Sequence, residues 1–346
     1  MEKQKQVLRN TSQLKPRPRL RLAAANRPRQ LPEKLIRILI LSSTLALTLT
    51  VFIGRFILPR DGSWQVDLTY DLVNLLLVFI LPLLIVYYIY PESFSHLPLN
   101  FDHALNLVLA FFTGLALAVL SYGLNLLFLA LINHSGFSFL LKYLGDRGAE
   151  VQSIYKSLPV LAVIILLIQL ILPALVIALY TQSFLAKGLR STYKSKFLAS
   201  LVTALLLSLL RNHLSLFIPH FILALCLFRL AQRKRENLVE ASLLLGGFYL
   251  CSKVLLPLWS LGRTLDPLAY KQIKSFADLL QILLLTLIAA AIFAALWLPL
   301  INLDSTDPLK LKQRRNQALS LHERKKTQTT VSLLLLWIFI LNLLAV

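Results

Sequence analysis

Two histidines close to an arginine are the first residues whose types and spacing could support chemistry. His213 and His220 lie seven residues apart, shortly after Arg211. Seven residues are close to two helical turns, so both imidazoles would share a face of one continuous helix. Pro219 and a predicted turn argue against such a helix, and two histidines without a carboxylate make a weak metal site. We therefore favour interfacial histidines at the outer edge of a membrane and predict no metal.

A single basic residue lies well inside a long apolar stretch. Lys253 is the one Lys or Arg between residues 238 and 261, and an ionisable residue inside a membrane span indicates function by default. Its amine would otherwise have to extend past Leu261, but eight helical residues are about 12 Å, a long way for a lysine stem. Glu240 lies 13 positions away and is no direct partner. Two interpretations stay open: a functional or ion-paired lysine, and a lysine that reaches the outer surface.

The elements that must position these residues are long apolar helices. Hydrophobic residues make up 57% of the 346 positions, charged residues make up 15%, and the mean hydropathy is +0.70. Soluble domains carry about 25% charged residues. The apolar residues form runs such as 104–132 and 158–184, which contain no charged residue. Because about 18 apolar residues suffice to cross a bilayer, the predicted fold is all-α, a polytopic membrane helical bundle.

We predict about nine transmembrane helices after a basic tail. Residues 1–34 are rich in basic residues and prolines, which predicts a disordered cytoplasmic tail before a transmembrane domain at 35–346. The fifth, sixth and ninth predicted spans are short for a bilayer of about 30 Å. The predicted spans are 36–58, 72–90, 104–132, 158–184, 197–210, 214–230, 238–261, 278–301 and 331–346.

The distribution of basic residues predicts the orientation. The net charge of +20 does not indicate nucleic acid, because the cations lie between the apolar runs. With the N-terminus inside, 26 of the 36 Lys and Arg residues fall on the inner side and nine on the outer side, and Lys253 lies within a span. We therefore expect a multi-pass protein of a bacterial plasma membrane, with its N-terminus in the cytoplasm and its C-terminus outside.

The expected partners are the lipid bilayer and, in particular, the anionic lipids of its inner leaflet. The tail and the segments 310–315 and 324–326 are basic and lie on the predicted inner side, where each cation adds roughly 1 kcal/mol of attraction. Another membrane protein or a peptide is a further partner class, and no nucleic acid is expected. No cofactor is expected either, because the sequence lacks a Gly-rich phosphate loop, an HExxH motif and metal-type cysteine spacing.

The stretch 170–250 carries an ordered set of features. One predicted span ends in a polar motif, and a basic loop follows it. The next span ends at an arginine. The third span begins near a proline, and a turn separates it from the last span. The positions that matter are Gln182, Ser183, Lys187, Arg211, Leu245 and Tyr249. This layout resembles the CPBP family of intramembrane CAAX proteases and bacteriocin-processing, Abi-like proteins. That family carries Glu-Glu-x-x-x-Arg-Gly, Phe-x-x-x-His and His-x-x-x-Asn there. The resemblance covers roughly residues 90–250 and implies a CPBP-like core at about 90–261.

The residues at these positions depart from the family motifs. The family's chemistry needs a carboxylate that activates water and donors that hold an oxyanion. Gln182 and Ser183 cannot act as that base, and Lys187 keeps the charge of an arginine without its bidentate geometry. Arg211 stays protonated, and Leu245 is inert. The resemblance therefore implies a pseudoenzyme with no catalytic residue, which acts as a binding or scaffold protein.

Two other functional classes stay open. The first is an active CAAX-type endopeptidase that uses non-standard residues, although the absence of acidic residues between 158 and 235 speaks against it. The second is a transporter or lipid-handling protein. Transporters with broken helices use more glycine than the 11 residues found here, and no internal repeat is present.

Overall fold

The computed structural model describes most of the chain from Glu33 onward. The predicted tail, apart from its last two residues, lies outside the described part, and so does His213. The described residues are 33–57, 64–94, 97, 99, 101, 104–135, 159–193, 195–211, 214–233, 237–256, 276–302 and 321–345.

Every regular element in these ranges is a helix. Two are short 3-10 turns, at Pro91–Ser93 and Leu214–Leu216. The longer helices, labelled in chain order, are α1 (Glu33–Phe56), α2 (64–89), α3 (Ala104–His134), α4 (159–192), α5 (Lys196–Leu210), α6 (Phe217–Ala231), α7 (Leu238–Leu255), α8 (Phe276–Asn302) and α9 (Leu321–Ala345).

Seven of the described helices are long and apolar enough to cross a membrane, which fits a multi-pass integral membrane protein. The predicted count of about nine is not confirmed, because α5 and α6 are shorter apolar helices of 15 residues each. Fifteen helical residues extend about 22 Å, less than the roughly 30 Å of a hydrocarbon core.

Helices α5 and α6 form an antiparallel pair. Ala199 near the start of α5 packs in one buried cluster with Phe228 and Ala231 at the end of α6. An antiparallel pair returns the chain to the side from which it came, whether or not it crosses the bilayer. Seven and nine crossings therefore predict the same sides for every later segment.

Three of the long helices contain a wider, π-helical turn, a feature that is frequent at functional sites. These turns are Leu75–Ile80 in α2, Leu179–Leu185 in α4 and Cys251–Leu255 in α7. The first two meet in the core, where the rings of Phe79 and Tyr180 lie 5.2 Å apart. The Tyr180 hydroxyl also shares a 2.9 Å hydrogen bond with Ser43 of α1.

Helices α3 and α7 approach each other closely through two glycines. A Cβ atom on Gly114 would lie 2.1 Å from the carbonyl oxygen of Leu244, and one on Gly247 would lie 2.2 Å from that of Phe111. Small residues allow such backbone contact between membrane helices. This contact sets the position of α7, which carries Glu240 near its start and Lys253 near its end.

One end of the bundle gathers basic side chains, and we call it the basic end. Arg37 of α1 donates from Nε to Thr327 Oγ1 of α9 at 2.9 Å, and Gln328 Nε2 donates to the carbonyl of Thr192 at 3.1 Å. These contacts place the starts of α1 and α9 beside the end of α4. The exposed or half-buried cations at this end are Lys34, Arg37, Lys187, Arg190, Lys196, Arg229, Lys325 and Lys326.

Candidate functional site

Lys253 is ion-paired across two helices. It lies in the π-helical turn of α7, and its Nζ donates to Oδ2 of Asp71 in α2 at 3.0 Å. The two side chains keep 27% and 32% of their surface exposed. Of the two interpretations that the sequence leaves open, this geometry agrees with the ion-paired lysine.

Arg211 stacks its charge on a buried aromatic ring. Its Cζ atom lies 5.2 Å from the ring centroid of Tyr249, which is four residues before Lys253 on α7. The Nε atom of Arg211 is buried and has no hydrogen-bond partner within the described part of the chain. Asn74 of α2 donates long hydrogen bonds, 3.4 and 3.3 Å, to the carbonyls of Leu210 and Arg211. These bonds join α2 to the end of α5.

A tyrosine of α3 completes the group. Tyr122 lies close to Ser252 and within electrostatic range of Arg211. Tyr249 lies within electrostatic range of both Arg211 and Asp71. We call Asp71, Tyr122, Arg211, Tyr249 and Lys253 the polar cluster. Because α5 starts at the basic end and Arg211 follows its last residue, the polar cluster lies toward the opposite end of the bundle.

The first motif position of the predicted family has a structural contact. Gln182 Nε2 donates to the carbonyl of Leu227 in α6 at 2.6 Å, and both residues are buried. The Ser183 hydroxyl beside it is buried without a hydrogen-bond partner among the described residues. The Gln182 amide thus joins α4 to α6, near the end of α6 that reaches the basic end.

The structure brings some motif positions together and separates others. Arg211 and Tyr249 are in contact, as described above. Arg211 lies before the first turn of α6, whereas Gln182 contacts α6 ten residues along, which is about 15 Å of helix. Gln182 therefore does not lie in the polar cluster.

The other predicted site residues fall in different surroundings. Leu245 is fully buried in α7, and His220 is buried in α6. Lys187 is half-buried toward the basic end. Among the residues that the structure describes, no group of three or more His, Cys, Asp or Glu side chains is placed to hold a metal ion.

A second ion pair lies at the start of α7. Arg233 Nη1 donates to Oε2 of Glu240, and the two side chains are only 6% and 7% exposed. Asn237 caps this helix, because its side-chain oxygen accepts a hydrogen bond from the Val239 amide at 3.0 Å. Glu240 therefore stabilises the turn between α6 and α7, at the opposite end of α7 from Lys253.

The sequence analysis missed Asp71, Asn74 and Tyr122. A usable signal existed for Asp71, which borders the outer edge of the second predicted span, while Lys253 lies in the outer half of the seventh. Two opposite charges at similar predicted depth are candidates for a pair. Tyr122 offered no comparable signal, because a tyrosine in an apolar run is ordinary in a membrane helix.

Comparisons of the chain with protein-family models, with curated proteins and with solved structures found no match. The resemblance to the CPBP family therefore stays a prediction from the order and spacing of features. What the site can do must be argued from its own geometry.

Proposed function

We propose that this chain is a multi-pass protein of a bacterial plasma membrane that binds or organises another membrane component and does not cleave peptides. The observation that carries the proposal is the Gln182 contact. At the position of the family's paired glutamates, a buried amide donates to the carbonyl of Leu227 at 2.6 Å. An amide cannot take a proton from water at neutral pH, and here it is also engaged in holding two helices together.

The remaining motif positions support the same proposal. Arg211 keeps its proton and rests on the Tyr249 ring. The Leu245 side chain is apolar and fully buried. General acid–base help contributes about 10²–10⁴-fold in rate and each oxyanion donor about 10²–10³-fold, so their loss removes most of a peptidase's acceleration.

A peptidase assay tests this proposal directly. The purified protein in liposomes should not cleave prenylated CAAX peptides or unmodified membrane peptides above the rate of a Gln182→Ala/Ser183→Ala variant. Turnover by the natural sequence that this double variant abolishes would overturn the proposal and favour the active-endopeptidase alternative.

Restoring the motif carboxylate should damage the fold without restoring activity. Gln182→Glu removes the amide that donates to the Leu227 carbonyl and buries a carboxyl group in its place, at a cost of about 1–3 kcal/mol. Ser183→Ala is the matched control, because its buried hydroxyl has no partner among the described residues. Unfolding in mixed detergent–SDS micelles measures both. A Gln182→Glu variant as stable as Ser183→Ala would contradict a structural role for the amide.

We further propose that the basic end faces the cytoplasm and that the C-terminus is outside. The grouping of cations at the basic end supports this orientation, since cytoplasmic segments carry an excess of Lys and Arg. Reporter fusions at positions 315 and 346 provide the test. Cytoplasmic signals at both positions would mean that α9 does not cross the membrane.

A further inference from the structure

We propose that the polar cluster binds one phosphate-type oxyanion, with Arg211 as its main ligand. The proposed function names no ligand, so this inference goes beyond it. The shared chemistry is a phosphate group that accepts hydrogen bonds from a guanidinium. Its source is either the headgroup of an anionic lipid or a free phosphate, and the experiment below separates the two.

The hydrogen bonding of Arg211 is incomplete. Its buried Nε has no acceptor among the described residues. The contact with the Tyr249 ring stabilises the positive charge but accepts no hydrogen bond from the edge of the guanidinium plane. Buried donors on charged groups are seldom left without an acceptor, because water no longer supplies one. An oxyanion at the guanidinium edge would provide it.

The charge of the cluster favours the same ligand. Lys253 and Asp71 pair with each other at 3.0 Å and offset each other's charge. Arg211 adds a positive charge within electrostatic range of both tyrosines. The C-terminal end of α5, which Arg211 follows, supplies about half a negative charge. Within the described part of the chain, the positive charge of Arg211 is therefore offset only in part.

The position of Arg211 gives a ligand access. The residue follows the last turn of α5 and is half-buried, so part of its surface remains accessible although its Nε is buried. Asn74 donates to the Arg211 backbone carbonyl, and the Tyr249 ring contacts the guanidinium, so both the backbone and the side chain of Arg211 are held in place. A planar guanidinium fork matches two phosphate oxygens, which a lysine ammonium does not.

Ligand-dependent stability of the full-length protein tests the inference. The protein is purified in neutral detergent, and its unfolding temperature is measured against inorganic phosphate and, separately, against short-chain phosphatidylglycerol. We expect a saturable rise with at least one of the two probes. Arg211→Gln should weaken the apparent affinity about tenfold or more, because a charge-assisted bidentate contact is lost.

The control removes the same charge at the other end. Arg229→Gln replaces an exposed arginine of the basic end and should leave the saturable response unchanged. It separates binding at the polar cluster from general attraction of an acidic lipid to a basic protein. Arg211→Lys keeps the positive charge but lacks the planar guanidinium. It should also bind the anion several-fold more weakly, so it tests the inference if Arg211→Gln does not fold.

The outcomes distinguish the sources and the failures. A response to inorganic phosphate supports a free-anion site, and a response to phosphatidylglycerol alone supports a headgroup site. No saturable response in the natural protein, or equal affinity in the natural protein and both Arg211 variants, overturns the inference. The peptidase assay is independent of these measurements, so such a failure would leave the proposed function standing.

Discussion

The two ion pairs that α7 forms within the described part of the chain differ in burial and in the way they connect the chain. Arg233 and Glu240 are seven residues apart, only 6% and 7% exposed, and hold the turn into α7 together with the Asn237 cap. Asp71 and Lys253 are 182 residues apart, about a third exposed, and join α7 to α2.

Burial determines what each pair can contribute. Removing one member of a buried ion pair is strongly destabilising, so the Arg233–Glu240 pair is costly to break and suits a structural role. Asp71 and Lys253 each lie two residues from the end of a candidate span, Thr69–Ile89 and Leu238–Leu255, and a partly exposed pair at the edge of a membrane is screened by water and gains little net free energy. The Asp71–Lys253 pair can therefore exchange partners at low cost, which suits a site where a charged ligand arrives.

The largest effect is expected at the buried pair. Glu240→Ala leaves Arg233 buried without this carboxylate and should lower the free energy of unfolding by about 3–5 kcal/mol. Arg233→Met/Glu240→Leu together should recover most of that loss, because both charges are gone. Arg229→Gln, at an exposed arginine nearby in sequence, is the control. A loss below about 1 kcal/mol for Glu240→Ala would remove the contrast between the two pairs.

A smaller effect is expected between the pairs, where α7 touches α3. Gly247→Ala would bring Cβ within 2.2 Å of a backbone oxygen and should cost about 1–3 kcal/mol, since the backbone cannot move aside easily. Gly246→Ala is a matched control one residue earlier, because nothing lies within 4 Å of its Cβ position. It should be neutral or stabilising by up to about 1 kcal/mol from helix propensity alone. Similar responses at both glycines would mean that α3 and α7 are not in backbone contact.

The exposed pair should show a small, salt-dependent coupling. A double-mutant cycle with Asp71→Asn and Lys253→Gln isolates this pair from the other contacts of the two residues. We expect a coupling of about 0.2–1 kcal/mol that decreases as salt is added. A coupling above about 3 kcal/mol that does not depend on salt would mean that this pair behaves like the buried Arg233–Glu240 pair. Lys253 would then have a structural role.

The sequence predicted the long helices well because a bilayer selects for length and apolar composition. The predicted spans 104–132 and 278–301 correspond to Ala104–His134 and Phe276–Asn302. The predicted span 331–346 begins too late, since α9 starts at Leu321. Its first turns contain Arg, Lys and Gln, which favour a helix without being apolar. Hydropathy finds the membrane part of a helix and overlooks such polar extensions.

The candidate site was predictable only in part. Lys253 and Arg211 stood out because charges at the ends or inside of apolar runs are unusual. Their contacts were not predictable, because Asp71 and Tyr249 reach them through the packing of separate helices. The π-helical turns were not predictable either. Such a turn inserts one residue into the helix and rotates all later side chains by about 100° around the helix axis, but it leaves the amino-acid composition unchanged.

The smallest effect is expected at the contact between Arg211 and Tyr249. Tyr249→Phe keeps the ring below the guanidinium and should change the free energy of unfolding by less than about 0.5 kcal/mol. Tyr249→Leu keeps a buried apolar side chain but removes the ring, and should lose about 0.5–1 kcal/mol more than Tyr249→Phe. In an Arg211→Gln background this difference between the two variants should disappear, because no cation is left above the ring. Unfolding of the four variants in mixed micelles measures the difference. If it persists without Arg211, the ring acts through packing with α3, and the orientation of Arg211 must come from the Asn74 contacts alone.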